Sequence, residues 1–386
     1  MKVGYFVETP VEHNLTGGSR SFLDLLEQLV PMGVEPYVVV HEPWALTEEL
    51  GRRGIPFITA KMYRPFVGIT NKARFYRTKY LIKTIINNRS RRIARRFFRD
   101  NGVQLIHINS QFCGIVGAQV ANDLKIPYVF HIREYLSNDF GVEFYNKIQA
   151  DRLIGSANTI IAISSSIEKF MREKYPAANI VRIYNGLNYD KVGCKDVRRF
   201  TEKPIKMVIV GRVADAKNQE DAVKATEILV KEYHADILLY IVGYMGTDSY
   251  EIRLKNYVDE HGIQKNVEFI PFSNNPMAIT HQCDIGLTCS VREAFGRVTI
   301  ENMMANLFAI GSNTGGTPEL INDGVDGFLY ELGNPADLAQ KIYWAISHPE
   351  EANEMLMIGK KKAIDQFSIN NTAIRVLGEY KNIIHG

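Results

Sequence analysis

Two carboxylates, Glu293 and Glu301, flank a Phe-Gly pair in "SVREAFGRVTIENMM" (290–304). Acidic side chains this near one another first suggest general acid–base chemistry. On a single helix, an E-x7-E spacing separates them by about 12 Å along the axis and roughly 80° around it. That is too far to share a proton, and beyond the roughly 5–9.5 Å between the carboxyl groups of glycoside hydrolases. A loop position for Glu293, with the helix starting near Phe295–Gly296, fits better. The unpaired N–H groups of that first turn then favour a phosphate. Glu301 suits ribose hydroxyls, as carboxylates do in dinucleotide sites, and Glu293 suits a sugar. The two read as separate holds on one nucleotide-sugar-like ligand, not as acid and base.

Other charged and glycine-rich stretches point the same way. "VGRVADAKN" puts Arg212 and Lys217 just beyond an apolar strand, where a guanidinium fork and an ammonium point charge suit a diphosphate. By themselves they equally describe a surface loop. "SNTGGTPELI" places Gly315 and Gly316 before Thr317 as helix cap and Pro318 at the first helical position, which is first of all a well-made helix start. "TGGSRSFLDLLEQL" opens the first helix at Gly17 and Gly18, where a missing Cβ permits close backbone approach. His131, in "YVFHIRE", ends an apolar run; a lone histidine there is ordinarily just hydrogen-bonded. Arg133 and Glu134 after it either face a ligand or pair with each other.

These residues need elements to hold them. Short apolar runs alternate with amphipathic segments: "KVGYFVE", "EPYVVVH", "LIHIN", "YVFHIR", "TIIAIS" and "IVRIYNG", then "IKMVIVG", "DILLYIVG", "VEFIPF", "DIGLTC", "LFAIG" and "GFLYE". Near-continuous apolar strands between helices predict parallel sheets covered on both faces, with right-handed crossovers. The expected architecture is α/β: two doubly wound, Rossmann-like domains facing across a cleft at their strands' carboxyl ends. The first spans 1–190 and takes back a C-terminal helix, 368–386. A polar linker occupies 191–204, and the second domain spans 205–367.

Composition narrows the class. The 386 residues are 46% hydrophobic and 23% charged, with net charge +3. These values suit a globular protein of two domains and give no general argument for nucleic acid. Cys113, Cys194, Cys283 and Cys289 form no C-x-x-C pair, so neither a metal cage nor a disulfide framework is expected. The opening "MKVGYFVETP" lacks the pattern of a cleaved signal, no stretch reaches the roughly 20 apolar residues of a membrane span, and a cytoplasmic location is expected. Charge is unevenly spread, however. Lys61, Arg64, Lys72, Arg74, Arg77, Lys79, Lys83, Arg89, Arg91, Arg92, Arg95, Arg96 and Arg99 crowd 61–100 with Asp100 as the sole acid. Tyr76, Tyr80, Ile82, Ile85, Ile86, Ile93 and Phe97 interleave at roughly helical spacing. Either this is a helix with a solvated basic face and a core face, or it meets an anionic leaflet.

Taken in order, Gly17–Gly18, "HIRE", "YNGLN", "VGRVADAKN", "SVREAFGRVTIENMM" and "TGGTPELI" resemble the retaining glycosyltransferases of family 4, with the two-domain type B fold. The resemblance runs through nearly the whole chain and is most specific around E-x7-E, Arg212 and Lys217. It implies transfer of a sugar from a nucleotide diphosphate to a carbohydrate or lipid-linked acceptor, in surface polysaccharide or glycolipid synthesis. It implies that Arg212 and Lys217 neutralise the departing diphosphate, Glu301 holds the ribose and Glu293 the transferred sugar. Backbone amides near Phe295, Gly296, Arg297 and Val298 would meet phosphate or sugar oxygens, Gly17 and Gly18 would lie close to the phosphates, and His131 would approach the sugar. Retention would proceed by front-face attack. No D-x-D occurs in the chain, so side-chain cations replace a metal and no cofactor is expected. UDP and GDP donors both remain open.

Two departures stand out: Asn306 replaces an expected glycine and Phe308 an expected proline. Asn tolerates the left-handed conformation better than most residues, so only a modest local shift is expected. A nucleotide-sugar epimerase on the same scaffold and a non-catalytic partner subunit are the competing readings; the intact charged set argues against the second. With the basic stretch in the acceptor domain, peripheral attachment to the inner face of a membrane is expected, and binding to nucleic acid is not.

Overall fold

The computed structural model describes residues 1–8, 15, 17–68, 76–137, 141–194, 200, 202–246, 249–273 and 275–385, apart from the side chains of 76–81. The chain divides into two compact units, Met1–Gly186 with Ile369–Gly386, and Leu187–Ser368. The first contains strands β1 (Lys2–Val7), β2 (Glu35–Val40), β3 (Phe57–Thr59), β4 (Phe66–Gly68), β5 (Leu105–Ile108), β6 (Tyr128–Ile132), β7 (Val142–Phe144), β8 (Thr159–Ala162) and β9 (Ile180–Arg182). Seven form one sheet in the order β3-β2-β1-β5-β6-β8-β9, with every pairing parallel. β4 and β7 form a separate antiparallel pair.

The second unit holds β10 (Ile205–Val210), β11 (Ile237–Tyr244), β12 (Val267–Pro271), β13 (Ile285–Thr288), β14 (Phe308–Ser312) and β15 (Phe328–Tyr330). Their order is β12-β11-β10-β13-β14-β15, again all parallel. Both units are thus doubly wound α/β domains, as the alternating apolar runs predict. Strands buried on both faces have no polar side to show, and β5, β6, β8, β13 and β14 are buried at every position.

In each sheet the strand order reverses beside the first strand, between β1 and β5 and between β10 and β13. Connections leave such a point toward opposite faces, which opens a crevice outside the strands' carboxyl ends. Pairing of β10 with β13 is limited to Met207↔Ile285 and Val208↔Gly286. The loops after β10 and β13, 211–218 and 289–296, carry Arg212, Lys217 and Glu293.

The helix Ile369–His385 packs against Gly17–Leu29 on one face of the first sheet, and Ala373, Val376 and Tyr380 join its core. The expected linker at 191–204 is no free tether: it belongs to the second unit. Phe200 is 4% exposed in that unit's core, edge-on to Phe308 with ring centroids 6.2 Å apart. Its residues 195–199 and 201 lie outside the described ones.

The basic stretch forms the helix Tyr76–Asp100. Ser90, Ala94 and Phe98 make its covered side, whereas Ile82, Ile85 and Ile93 are 55%, 69% and 41% exposed. These isoleucines do not lie on a core face. Arg91 Nε donates to Asp123 Oδ2 at 2.5 Å, while Arg89, Arg92, Arg95 and Arg96 are exposed. Lys72 and Arg74, and the side chains of Tyr76, Arg77, Lys79 and Tyr80, lie outside the described residues. Among the described residues no helix is long and apolar enough to cross a membrane.

Candidate functional site

The switch point of the second unit assembles from two loops pinned to one another. After β10 the chain makes a short 3-10 turn, Asp215–Lys217, and the Ala216 carbonyl accepts from the Val291 amide at 3.0 Å. That bond ties the β10 loop to the β13 loop. Lys217 Nζ then donates to Glu293 Oε2 at 2.6 Å, and Ser290 Oγ donates to the same oxygen at 2.7 Å. Ser290 is itself fixed, its carbonyl accepting from the hydroxyls of Ser312 and Thr314. The backbone of Glu293 is held by Gly316, whose amide donates to its carbonyl at 2.7 Å. Gly315, at φ +61°, lies so close that an added Cβ would sit 2.5 Å from the Glu293 nitrogen, so only glycine fits there.

The helix Arg297–Met304 follows, with Gly296 as its cap at φ +104°. A Cβ on Gly296 would press on Leu320 Cδ1 at 2.9 Å. Glu293 therefore precedes the helix and Glu301 lies within it. The first-turn amides of Arg297 and Val298 have no intrahelical acceptor and carry partial positive charge. Phe295 is buried against Phe367 and holds the turn in place. Arg297 pairs with Glu301 at 3.7 Å. Arg212 is exposed, and among the described residues its side chain has no hydrogen-bond or ion-pair partner. The helix ends through Asn306 at φ +64°, the conformation for which Asn substitutes for glycine.

One expectation fails here. Gly316, not Thr317, occupies the cap of the helix Thr317–Leu320. Thr317 is the first helical residue, and its Oγ1 is buried with no partner among the described residues. The paired glycines let the chain turn one residue earlier than a Thr cap requires.

The remaining candidates lie in the first unit. Gly17 and Gly18 open the helix Gly17–Leu29 and are exposed. His131, near the end of β6, is 1% exposed. Its Nδ1 lies 3.1 Å from His107 Nε2 and 3.3 Å from Arg133 Nη2. Burial, then the Arg133 charge, then His107 hold the His131 imidazole far below its ordinary value. Arg133 donates to Asn185 Oδ1 at 2.9 Å and to Asn109 Oδ1 at 3.0 Å. Glu134 Oε1 accepts from Ser110 Oγ and from the Gln111 amide, both at 3.1 Å.

Sequence reading missed Ser290, His107, Tyr380 and Glu8. A histidine inside the apolar run "LIHIN" was the one available signal among them. Glu8, immediately after β1, pairs with Arg64, and Arg64 lies over the Phe112 ring at 4.6 Å. Ser110 Oγ also reaches Glu8 Oε2 at 3.4 Å. Burial outweighs the Arg64 guanidinium and, with Glu134 nearby, pushes the Glu8 carboxyl up to about 8. Among the described residues no group of three His, Cys, Asp or Glu side chains is arranged to hold a metal ion.

Residues 195–362 match the family model of glycosyl transferases group 1, and residues 15–191 match glycosyltransferase family 4. An uncharacterized glycosyltransferase, MJ1178 of Methanocaldococcus jannaschii, is 24% identical over 299 residues, covering 76% of this chain and 79% of that protein. N-acetyl-alpha-D-glucosaminyl L-malate synthase of Bacillus anthracis is 23% identical over 239 residues, 60% of each chain. The crystal structure of Anabaena Alr3699/HepE in complex with UDP superposes with a TM-score of 0.80 at 19% identity, covering 99% of this chain and all of that one.

The raised Glu8 carboxyl gives a test of the first unit's electrostatics. The folded chain keeps a proton that the unfolded chain releases above about pH 4.3, so Glu8 contributes stability at acid pH that is lost as pH rises toward 8. Glu8→Gln cannot ionise. Its melting temperature minus that of the wild type should climb between pH 5 and pH 8.5 and level off above; a difference independent of pH would contradict the assignment.

Proposed function

The chain belongs to the glycosyltransferases of family 4 with the type B fold, and from that membership we propose that it transfers a sugar, with retention, from a nucleoside diphosphate to a carbohydrate or lipid-linked acceptor. The observation that carries the reading is the Lys217–Glu293 contact of 2.6 Å at the second unit's switch point, beside the N-terminus of Arg297–Met304. An ammonium group has three donors, so Lys217 keeps Glu293 in place while another N–H meets a phosphate oxygen. Arg212, exposed and unpartnered among the described residues, supplies the second cation. Leaving-group charge is thus neutralised by groups already oriented, which is the electrostatic part of catalysis.

Glu293 Oε2 is committed to Lys217 and Ser290, leaving Oε1 to accept from a hydroxyl of the transferred sugar. Glu301 accepts from the ribose. In the retaining step the bond between anomeric carbon and diphosphate oxygen breaks while the acceptor oxygen bonds on the same face. The acceptor proton passes to the departing diphosphate, so no protein base and no metal ion is required. UDP, which HepE binds in its crystal structure, is the first donor nucleotide to try. The first unit takes the acceptor.

Offered UDP- and GDP-sugars with carbohydrate acceptors, the protein should consume one donor only when acceptor is present, unaffected by a chelator, and give a product with the donor's anomeric configuration. Glu293→Ala and Lys217→Ala should each lower turnover more than tenfold, a loss of over about 1.4 kcal/mol of transition-state stabilisation, while the melting temperature stays within a few degrees. Epimerised nucleotide sugar formed without acceptor, or near-normal turnover in either variant, would overturn the reading.

The helix Tyr76–Asp100 supports a further part of the proposal, attachment to an anionic membrane surface. Ile82, Ile85 and Ile93 stand out from the domain together with Arg89, Arg92 and Arg96, the mixture of apolar and basic groups an interfacial helix presents. Each basic residue near such a surface contributes about 1 kcal/mol. The protein should float with vesicles containing an anionic phospholipid and not with neutral ones; flotation with neither removes the membrane from the account.

A further inference from the structure

Behind His131 lies a buried chain of polar groups with no place in the chemistry described so far. Tyr5 and His107 face each other across the β1–β5 pairing, and His107 faces Val129 across β5–β6. Alternation along β6 therefore puts His131 on the same side of the sheet, the side covered by the helix Ile369–His385. From that helix the Tyr380 hydroxyl reaches His107 Nδ1 at 2.5 Å and lies 3.3 Å from the Tyr5 hydroxyl. His107 Nε2 meets His131 Nδ1 at 3.1 Å. Tyr5, His107, His131 and Tyr380 are all at most 1% exposed. His131 Nε2 is also buried, and has no hydrogen-bond partner among the described residues.

Proton positions along this chain follow from one residue. A guanidinium has donors only, and Arg133 Nη2 lies 3.3 Å from His131 Nδ1. Nδ1 is therefore the acceptor, and the His131 ring proton is on Nε2. Because His131 Nδ1 accepts, the facing His107 Nε2 donates. His107 Nδ1 is then bare and takes the single proton of Tyr380, whose 2.5 Å approach to His107 outcompetes its longer 3.3 Å contact toward the Tyr5 hydroxyl. The opposite polarity would set a His131 N–H against the Arg133 N–H groups. Burial and Arg133 keep His107 neutral, with its imidazole pushed down to about 3, so the chain holds one arrangement at neutral pH.

Resting on the reading of the first unit as a sugar-binding domain, we infer that His107 and Tyr380 are positioning residues that, with Arg133, fix His131 as the Nε2–H tautomer. This presents one buried N–H donor to an oxygen of a sugar bound by the first unit. His131 in this state has no lone pair at Nε2 and is neither base nor nucleophile. An unmade hydrogen bond at a buried donor costs about 1–3 kcal/mol, so the site discriminates for a sugar oxygen placed to accept.

Nitrogen NMR of the full chain, labelled at histidine, reads the tautomer without turnover. His131 should show a protonated Nε2 and a bare Nδ1 from pH 6 to 8.5; an imidazolium, or a proton on Nδ1, overturns the inference. Kinetics give the second arm. His107→Gln keeps an amide N–H toward His131 and an oxygen toward Tyr380, and should retain kcat within about threefold. His107→Leu should lose roughly tenfold in kcat, with donor KM and nucleoside diphosphate affinity unchanged. Should His107→Leu not fold, Tyr380→Phe, which removes only a hydroxyl, should lower kcat in the same manner and broaden the His107 signals as both tautomers populate. Equal kcat for the Gln and Leu variants, or for Tyr380→Phe and wild type, overturns the inference. Failure of the wild type to bind any nucleoside diphosphate would instead strike the function proposed above, and would leave the NMR result standing.

Discussion

A lysine and a glutamate held 2.6 Å apart at a point where a parallel sheet reverses its strand order is the constraint on which the second unit is organised. Neither side chain reaches the other by local sequence. The contact exists because the loops after β10 and β13 are bonded through Ala216 and Val291, and because Gly315 and Gly316 let a third loop lie flat against the Glu293 backbone. An ion pair half open to solvent adds little to folding stability. On the proposed function its use is preorganisation: the ammonium is already in position for a phosphate, and the carboxylate keeps its second oxygen away from it.

The two units handle polar groups in opposite ways. At the second switch point the charged side chains of Arg212 and Lys217 stay near solvent. In the first unit the polar groups are sunk into the sheet, where burial strips charge from them: His107 and His131 are held neutral and Glu8 is pushed toward its protonated form. Buried neutral groups cannot neutralise a leaving group, but they fix direction. The hydrogen-bonded line from Tyr380 to His131 runs one way because Arg133 has nothing but donors.

Fold class was legible because strands buried on both faces are written as apolar runs, and each run named from sequence became a strand of one of the two large sheets. β3, β4 and β7, of three residues each, were not among those runs. The polarity of 191–204 hid Phe200, a single apolar residue that anchors the segment in the second core. Helical spacing alone cannot say which stripe is covered, so Ile82 and Ile85 looked like core and are not. In the site, Glu293 ahead of the helix and Glu301 within it followed from the Phe-Gly break. Contacts across long separations did not: Lys217 and Glu293 are 76 positions apart, and His107 and Tyr380 are 273 apart. Tyr380 in particular looks like any core tyrosine of an amphipathic helix.

The central claim is that Lys217 and Glu293 grip different parts of one ligand, the diphosphate and the sugar. Titration of nucleoside diphosphate, lacking the sugar, into Lys217→Met and Glu293→Gln separates the two roles most directly. The account predicts at least roughly tenfold weaker binding to Lys217→Met, about 1.4 kcal/mol, and binding to Glu293→Gln as tight as wild type or tighter, since Lys217 is then released from its carboxylate. Equal weakening in both variants, or none in Lys217→Met, would contradict it.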